Sequence, residues 1–332
     1  MSSRDINSSA QTGAQPGKLS RDNTAQRLAT RAKVLARIRK YFANEQVTEV
    51  ETPLLTRYAV TDPQLDNLRV DSSFYRDKHL YLTTSPEYAM KQLLSLGSGS
   101  IYQICKAFRQ DPPGRLHSYE FTLLEWYRLG FDMEALIDDV AALVNGVCSQ
   151  QINTELKVEK LSYREAFIRT MDLDPFVTEN HELEAIATQT IDVSFTNQPS
   201  DVWLDLLLTH CVEPQLGKSG MTFLYDYPQS QAALARLSND SLGNPVAKRF
   251  ELYINGIELA NGYYELSDAD EQLKRFEHDN TMRQRMGKSA CEIDVDLMAA
   301  LQQGLPDCAG VALGIDRLIL VLSELTTATR QP

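Results

Sequence analysis

The chain of 332 residues is 43% hydrophobic and 23% charged, which suits a globular protein of one large domain or two ordinary ones. No apolar run approaches the ~20 residues that span a membrane, and residues 1–16, rich in Ser and Gln, lack a signal-peptide core; the expectation is a cytoplasmic protein with no membrane partner and a disordered tail over 1–19. The net charge of −12 is uneven: residues 1–40 carry nine Lys/Arg against Asp5 and Asp22, +7 in all, leaving −19 on an acidic remainder that argues against a broad phosphate-backbone footprint.

Residues 20–46 read as a helix, with Ser20 or Asp22 as its cap and Leu28, Leu35, Ile38 and Phe42 at helical spacing. A short strand at 47–52 ends at Pro53, which has no N–H for a sheet ladder. Residues 81–83 form a second strand, and Pro86 opens a helix carrying Tyr88, Met90, Leu93 and Leu94. After a Gly/Ser turn at 97–100, residues 101–108 and 120–128 read as an antiparallel pair joined by a Pro- and Gly-bearing loop. Residues 132–148 are helical, and 150–218 form a mostly helical insertion around the apolar run 204–208. Strands return at 223–225, 250–254 and 257–264. Helices at 268–286 and 293–303, a strand at 309–313 and a last helix at 315–325 complete the chain. Hairpins interleaved with helices, without regular βαβ alternation, predict an α+β fold with an antiparallel sheet, in one domain over 20–328. The five scattered cysteines form no CxxC pair and read as reduced thiols, and the histidines form no zinc motif.

Three stretches hold the residue types that chemistry uses. The first runs from Phe108 through His117 to Tyr127. Arg109, Arg115 and His117 flank the loop between two strands, and Phe121, Leu123, Glu125 and Tyr127 share one face of the exit strand. An aromatic ring, cations and inward carboxylates suit a nucleotide together with an amine-bearing substrate; a hairpin with surface charges is the plainer reading. The second stretch, from Arg249 to Glu265, is a hairpin turning at Asn255-Gly256. Glu251 and Glu258 sit on its two strands. Acidic side chains in half-buried apolar strands are costly unless a cation pairs with them. Mg2+ held by carboxylates and phosphates answers that need, and a solvated edge hairpin is the alternative. Glu258 and Glu265 lie an odd number of residues apart and face opposite ways in a regular strand, so a bulge is expected, with Gly262 as its candidate. The third stretch, Gly310-Val-Ala-Leu-Gly-Ile-Asp-Arg317, leads a strand through Gly314 into a helix whose start places Arg317 within reach of a phosphate.

In this order the three stretches resemble motifs 2 and 3 and the intervening substrate strands of class II aminoacyl-tRNA synthetases. The first helix, strand and Pro53 resemble motif 1, the dimer-forming element. Phe108-Arg109, Glu120-Phe-Thr122, Glu251-Leu-Tyr-Ile254 and Glu258-Leu-Ala-Asn-Gly-Tyr-Tyr-Glu-Leu266 are similar to signatures of the lysyl branch. Lysyl-tRNA synthetases place a five-stranded barrel before motif 1, and the residues ahead of the first helix are too few to build one. The chain therefore resembles more closely the short paralogues of that branch, the elongation factor P (R)-β-lysine ligases, to which Thr84-Ser-Pro-Glu87 and Arg115-Leu-His117 are also similar.

The resemblance implies a homodimer that uses ATP and Mg2+ to adenylate its substrate and passes the acyl group to a lysine of elongation factor P, without stable tRNA binding. It implies that Arg109 clamps the α-phosphate and the substrate carboxylate, that Phe121 stacks on adenine with Arg317 opposite, near the γ-phosphate, and that His117 lies beside the phosphates. Glu251 and Glu258 are the implied Mg2+ ligands. Glu87, Glu125, Tyr127 and Glu265 are the implied partners of the substrate's two amines, and Asn261 of its carboxylate. Asp111 stands where the lysyl branch usually has Glu, and Ser118-Tyr119 where Asn-Pro is common, which loosens the adenine contact implied for Asp111. Ala260 stands where the full synthetases carry Gly, and its methyl is expected to bias the site toward β-lysine. Two other readings differ in kind: a lysyl-tRNA synthetase served by a separate anticodon-binding protein, and a non-catalytic regulator that binds an amino acid or nucleotide.

Overall fold

The computed structural model describes residues 21–71, 79–112, 114–193 and 195–328. The tail expected over 1–19, and Ser20 as a cap, lie outside the described residues. The chain opens with α1 (Arg21–Asn44), followed by the short strands β1 (Thr48–Glu49), β2 (Leu55–Thr56), β3 (Arg69–Val70) and β4 (Leu80–Leu82) and by α2 (Glu87–Ser95). The long pair β5 (Ile101–Phe108) and β6 (Glu120–Leu129) leads into α3 (Met133–Ile152). Next come β7 (Lys157–Ser162), α4 (Tyr163–Met171), α5 (Asn180–Thr190) and α6 (Ser200–Leu207), the last prolonged by a wide turn at Leu208–Val212 and a tight one at Glu213–Gln215. Then follow β8 (Gly220–Pro228), β9 (Leu237–Asn239), β10 (Pro245–Ile254) and β11 (Ile257–Tyr264). α7 (Ala269–Arg285), α8 (Val295–Gly304), β12 (Cys308–Gly314) and α9 (Ile315–Ala328) close the chain.

The main sheet has the order β1-β5-β6-β12-β11-β10-β8-β7, with β9 beside β10. Among the described residues only β1–β5 and β7–β8 pair in parallel, so the α+β expectation and its antiparallel sheet agree with the structure. The pleat sorts side chains into two layers. On one face, Leu124 and Trp126 of β6, Leu252 of β10 and Leu313 of β12 are buried against α1, α3 and α9. Val34, Ile38 and Phe42 recur every four residues along α1 and are fully buried there. Each such side chain contributes about 1.5–3 kcal/mol on burial. The opposite face carries two separate clusters. One packs α2, α7 and α8 around Tyr127, and the other packs α4 to α6 around Leu224, Tyr227 and Tyr253.

The insertion expected at 150–218 is not helical from its start. Residues 150–152 complete α3, and β7 then adds an edge strand beside β8. The first four residues of β7 are all exposed, so no apolar alternation marks it in the sequence. No helix among the described residues is long and apolar enough to cross a membrane.

Candidate active site

Strand register builds the floor of the site. One rung of opposed residues runs Gln103, Glu125, Ala312, Asn261 and Glu251 across β5, β6, β12, β11 and β10. The next runs Tyr127, Gly310, Tyr263 and Arg249. Opposed residues share a face, so residues far apart in sequence meet here. The ladder breaks once in the hairpin: Leu252 opposes Ala260 while Tyr253 opposes Glu258, which leaves Leu259 unpaired. That bulge turns Glu258 onto the face of Asn261 and Tyr263. It lies at Leu259 rather than at the expected Gly262, whose role is packing, since a Cβ there would collide with the Phe250 ring.

The bulge also corrects the expectation for Ala260. Leu259 and Ala260 both face the core, and Ala260 is buried there with Leu252 and Leu313. Its methyl is therefore on the far side of the sheet from Glu258 and Asn261. The methyl on the floor belongs to Ala312, between Glu125 and Asn261, which sequence reasoning passed over. The signal for it was the alternation of Gly310, Ala312 and Gly314 along one strand face.

One end of the floor is acidic and buried. The Glu125 carboxylate accepts hydrogen bonds from the Tyr127 hydroxyl at 2.7 Å and the Ser85 hydroxyl at 2.6 Å. Lys91, four residues after Glu87 on α2, places its ammonium 2.7 Å from Glu87 and 2.6 Å from Glu265. Burial, with Glu87 adding to it, pushes Glu125 up to about 8. Burial also pushes Glu265 upward, against the pull of Lys91. Gly310 is required here, because a Cβ would collide with both the Tyr127 ring and the Glu265 carboxylate. Ser85 and Lys91 were not among the sequence candidates.

The other end of the floor is lined by basic side chains. The Arg109 guanidinium lies 5.3 Å from the Phe121 ring centre, and its Nε is buried without a hydrogen-bond partner. No carboxylate among the described residues pairs with it. Arg317 donates to the Glu258 backbone oxygen at 2.9 Å and carboxylate at 3.0 Å, and meets His117 Nε2 at 3.1 Å. Asp316 accepts from the Thr122 N–H at 2.7 Å and pairs with Arg31, which ties the start of α9 to β6 and α1. A Cβ on Gly314 would touch only the Arg317 side chain, at 3.7 Å, so the protein's own packing does not demand glycine there. Asp111 lines the same cleft from the loop between β5 and β6.

Glu251 differs from the open metal ligand the sequence implied. Its carboxylate accepts from Arg249 on one oxygen, and on the other from the hydroxyls of Tyr227 at 2.7 Å and Tyr253 at 2.5 Å. Arg249 also bonds Asn261 at 3.2 Å, so the implied carboxylate contact of Asn261 is already part of a fixed network. Among the described residues, only one oxygen of the Glu258 carboxylate has a hydrogen-bond partner, Arg317. Glu213, a further acid at the site, is pushed up to about 7 by burial and by Glu251 and Glu258. Such excess negative charge suits a cation. Among the described residues no three His, Cys, Asp or Glu converge on a closed metal cage. The donors fit an ion that keeps several waters and shares phosphate oxygens, as Mg2+ does.

Every sequence candidate except Ala260 lines one cleft of 3190 Å³ between the two packing clusters. Pockets for a single small ligand measure roughly 300–1,000 Å³, so this cleft has room for more than one reactant. Residues 15–329 match the family model for class II tRNA synthetases (D, K and N). The chain belongs to the class II aminoacyl-tRNA synthetase family. It is 46% identical to the elongation factor P (R)-β-lysine ligase of Yersinia enterocolitica over 299 residues, covering 89% of this chain and 90% of that protein. It is 45% identical, with the same coverage, to the proteins of that name from Yersinia pestis and Yersinia pseudotuberculosis. In this class II synthetase chain the cleft thus divides into a basic half, with Arg109, His117 and Arg317, and an acidic end, with Glu87, Glu125 and Glu265.

Proposed function

We propose that the chain is an ATP-dependent ligase that adenylates (R)-β-lysine and transfers it to a lysine side chain of elongation factor P, acting as a homodimer. One observation carries the reading: the buried end gathers three carboxyl groups against one lysine, opposite a half in which the Arg109 guanidinium has no carboxylate partner among the described residues. That distribution suits a substrate with two ammonium groups and one carboxylate, joined to a nucleotide. The names of relatives at 45–46% identity support the same reaction.

In the first step the substrate carboxylate attacks the α-phosphorus of ATP in line, and pyrophosphate leaves. Arg109 is placed to neutralise charge developing on the α-phosphate. Phe121 offers a face to adenine, and Arg317 and His117 face the outer phosphates. Mg2+, when bound with ATP, supplies further phosphate neutralisation, with Glu258 as its open ligand and Glu251 behind it. The neutral amine of the acceptor lysine then attacks the anhydride carbonyl, an amide forms, AMP leaves and the proton passes to solvent. Positioning and charge neutralisation supply the rate. Side-by-side transfer of radiolabelled β-lysine to elongation factor P and to purified tRNA tests the reading. Label is expected on the protein and not on tRNA, because an acidic body offers few phosphate contacts. Efficient tRNA charging moves the reading to a lysyl-tRNA synthetase, and absent pyrophosphate exchange moves it to a regulator. Light scattering at assay concentration checks the dimer.

The pH dependence has a definite sign. An ammonium binds an ionised carboxylate, and Glu125 carries a proton below about pH 8. The KM for β-lysine is therefore expected to rise as pH falls below about 8, by up to about tenfold per unit for each proton displaced. Calorimetry at about pH 7 in buffers of different ionisation enthalpy is expected to show proton release on binding.

Substrate choice is expected to follow Ala312 and not Ala260. Ala312→Gly opens the floor between Glu125 and Asn261 and should shift preference toward α-lysine, within the roughly 10–200-fold that a methyl-sized change allows. Ala260→Gly should leave the preference unchanged and cost about 0.5–1 kcal/mol of stability. Adenylation rates for both lysines in both variants decide between them.

A further inference from the structure

Lys91 takes no part in the chemistry above, yet it is 2% exposed at the heart of the acidic end. Its ammonium lies between Glu87 and Glu265, the latter 1% exposed. A buried ammonium is costly, and an apolar side chain of similar length would fill the same space on α2 without that cost. The charge must therefore do something that volume does not. Three carboxylates crowded into a buried end relieve their repulsion by taking up protons. A protonated carboxyl has no charge to offer an ammonium group. Burial already pushes Glu125 and Glu265 upward, and among the charges acting on Glu265 the largest is the Lys91 ammonium, which holds it down. The other groups facing this pair are Tyr88, Tyr127, Tyr263 and Cys308, all kept neutral by burial, and the Arg236 guanidinium, whose pull is weaker.

We propose that Lys91 is a positioning and specificity residue, a resident ammonium seated between Glu87 and Glu265 that offsets the repulsion among the carboxyl groups of the buried end, so that the chamber keeps negative charge to offer the substrate's ammonium groups. This rests on the reading of the buried end as the amine site. The sequence places Lys91 one helical turn after Glu87, but Glu265 is brought to it only by the packing of α2 against the end of β11.

The test measures β-lysine-dependent ATP–pyrophosphate exchange against pH for Lys91→Met, with Glu265→Gln as companion. At about pH 7 the KM of Lys91→Met for β-lysine is expected to rise about tenfold or more, a factor of ten standing for each unit of displaced titration. It should return toward the wild-type value near pH 9, while the KM for ATP stays within about twofold at either pH. A β-lysine KM equal to the wild type near pH 7, or raised equally at every pH, overturns the role. If Lys91→Met does not fold, Lys91→Met/Glu87→Gln removes one charge of each sign and is compared with Glu87→Gln alone; superimposable KM–pH curves overturn the role. Glu265→Gln separates the two claims. An unaltered β-lysine KM there removes the amine site itself, whereas a raised KM beside a wild-type-like Lys91→Met removes Lys91 alone.

Discussion

Replacing Arg109 by Ala is expected to lower ATP–pyrophosphate exchange by about 10²–10³-fold, the usual loss when one preorganised donor to a developing oxyanion is removed. The structural reason is the state of its guanidinium. It lies over Phe121, its Nε is buried without a partner, and no carboxylate among the described residues neutralises it. A cation held in that way is available to an incoming anion, and its removal breaks no ion pair. The thermal midpoint of Arg109→Ala should therefore stay within a few degrees of the wild type. Arg317 differs, because its guanidinium already engages Glu258 and His117, and a loss of rate there would mix two causes. Exchange near the wild-type rate in folded Arg109→Ala would show that α-phosphate charge is met elsewhere.

Glu251→Gln is expected to act first on stability. The carboxylate faces the Arg249 guanidinium and accepts from two tyrosine hydroxyls in a nearly closed space. Removing one partner of a buried pair leaves the other charge uncompensated, at a cost of about 3 kcal/mol, with the remaining hydrogen bonds lost or reversed. For a chain of this size the thermal midpoint should fall by roughly 4–5 °C. Thermal unfolding without ATP or Mg2+ reads this directly. Glu258→Gln is the contrasting case: its side chain is 37% exposed and its pair with Arg317 is open to solvent. It should leave the midpoint nearly unchanged and raise the Mg2+ concentration needed for half-maximal exchange. A Glu251→Gln protein as stable as the wild type, with that same shift in Mg2+ requirement, returns Glu251 to the role of direct ligand.

Much of the architecture is written in local pattern. β5 and β6 are legible because their side chains alternate with period two, and the β10–β11 hairpin because Asn255-Gly256 supplies the left-handed turn it needs, both residues having positive φ. The face shared by Phe121, Glu125 and Tyr127 follows from that same alternation, and the family from the order of three motifs. What local pattern cannot carry is register between strands that are distant in sequence. The rung from Glu125 through Ala312 to Glu251 joins four strands, and a one-residue slip moves every side chain to the other face. The unpaired Leu259 makes one such slip inside β11, sending Ala260 to the core and Glu258 to the cleft. Partner choice is equally non-local. Glu251 reads as a metal ligand until Arg249, Tyr227 and Tyr253 close on it, and Lys91 reads as an ordinary helix lysine until Glu265 arrives from the end of another strand. Sequence sets which groups exist and how each element spaces them; burial decides which charges must find one another, because a buried charge without a partner costs more than the fold can spare.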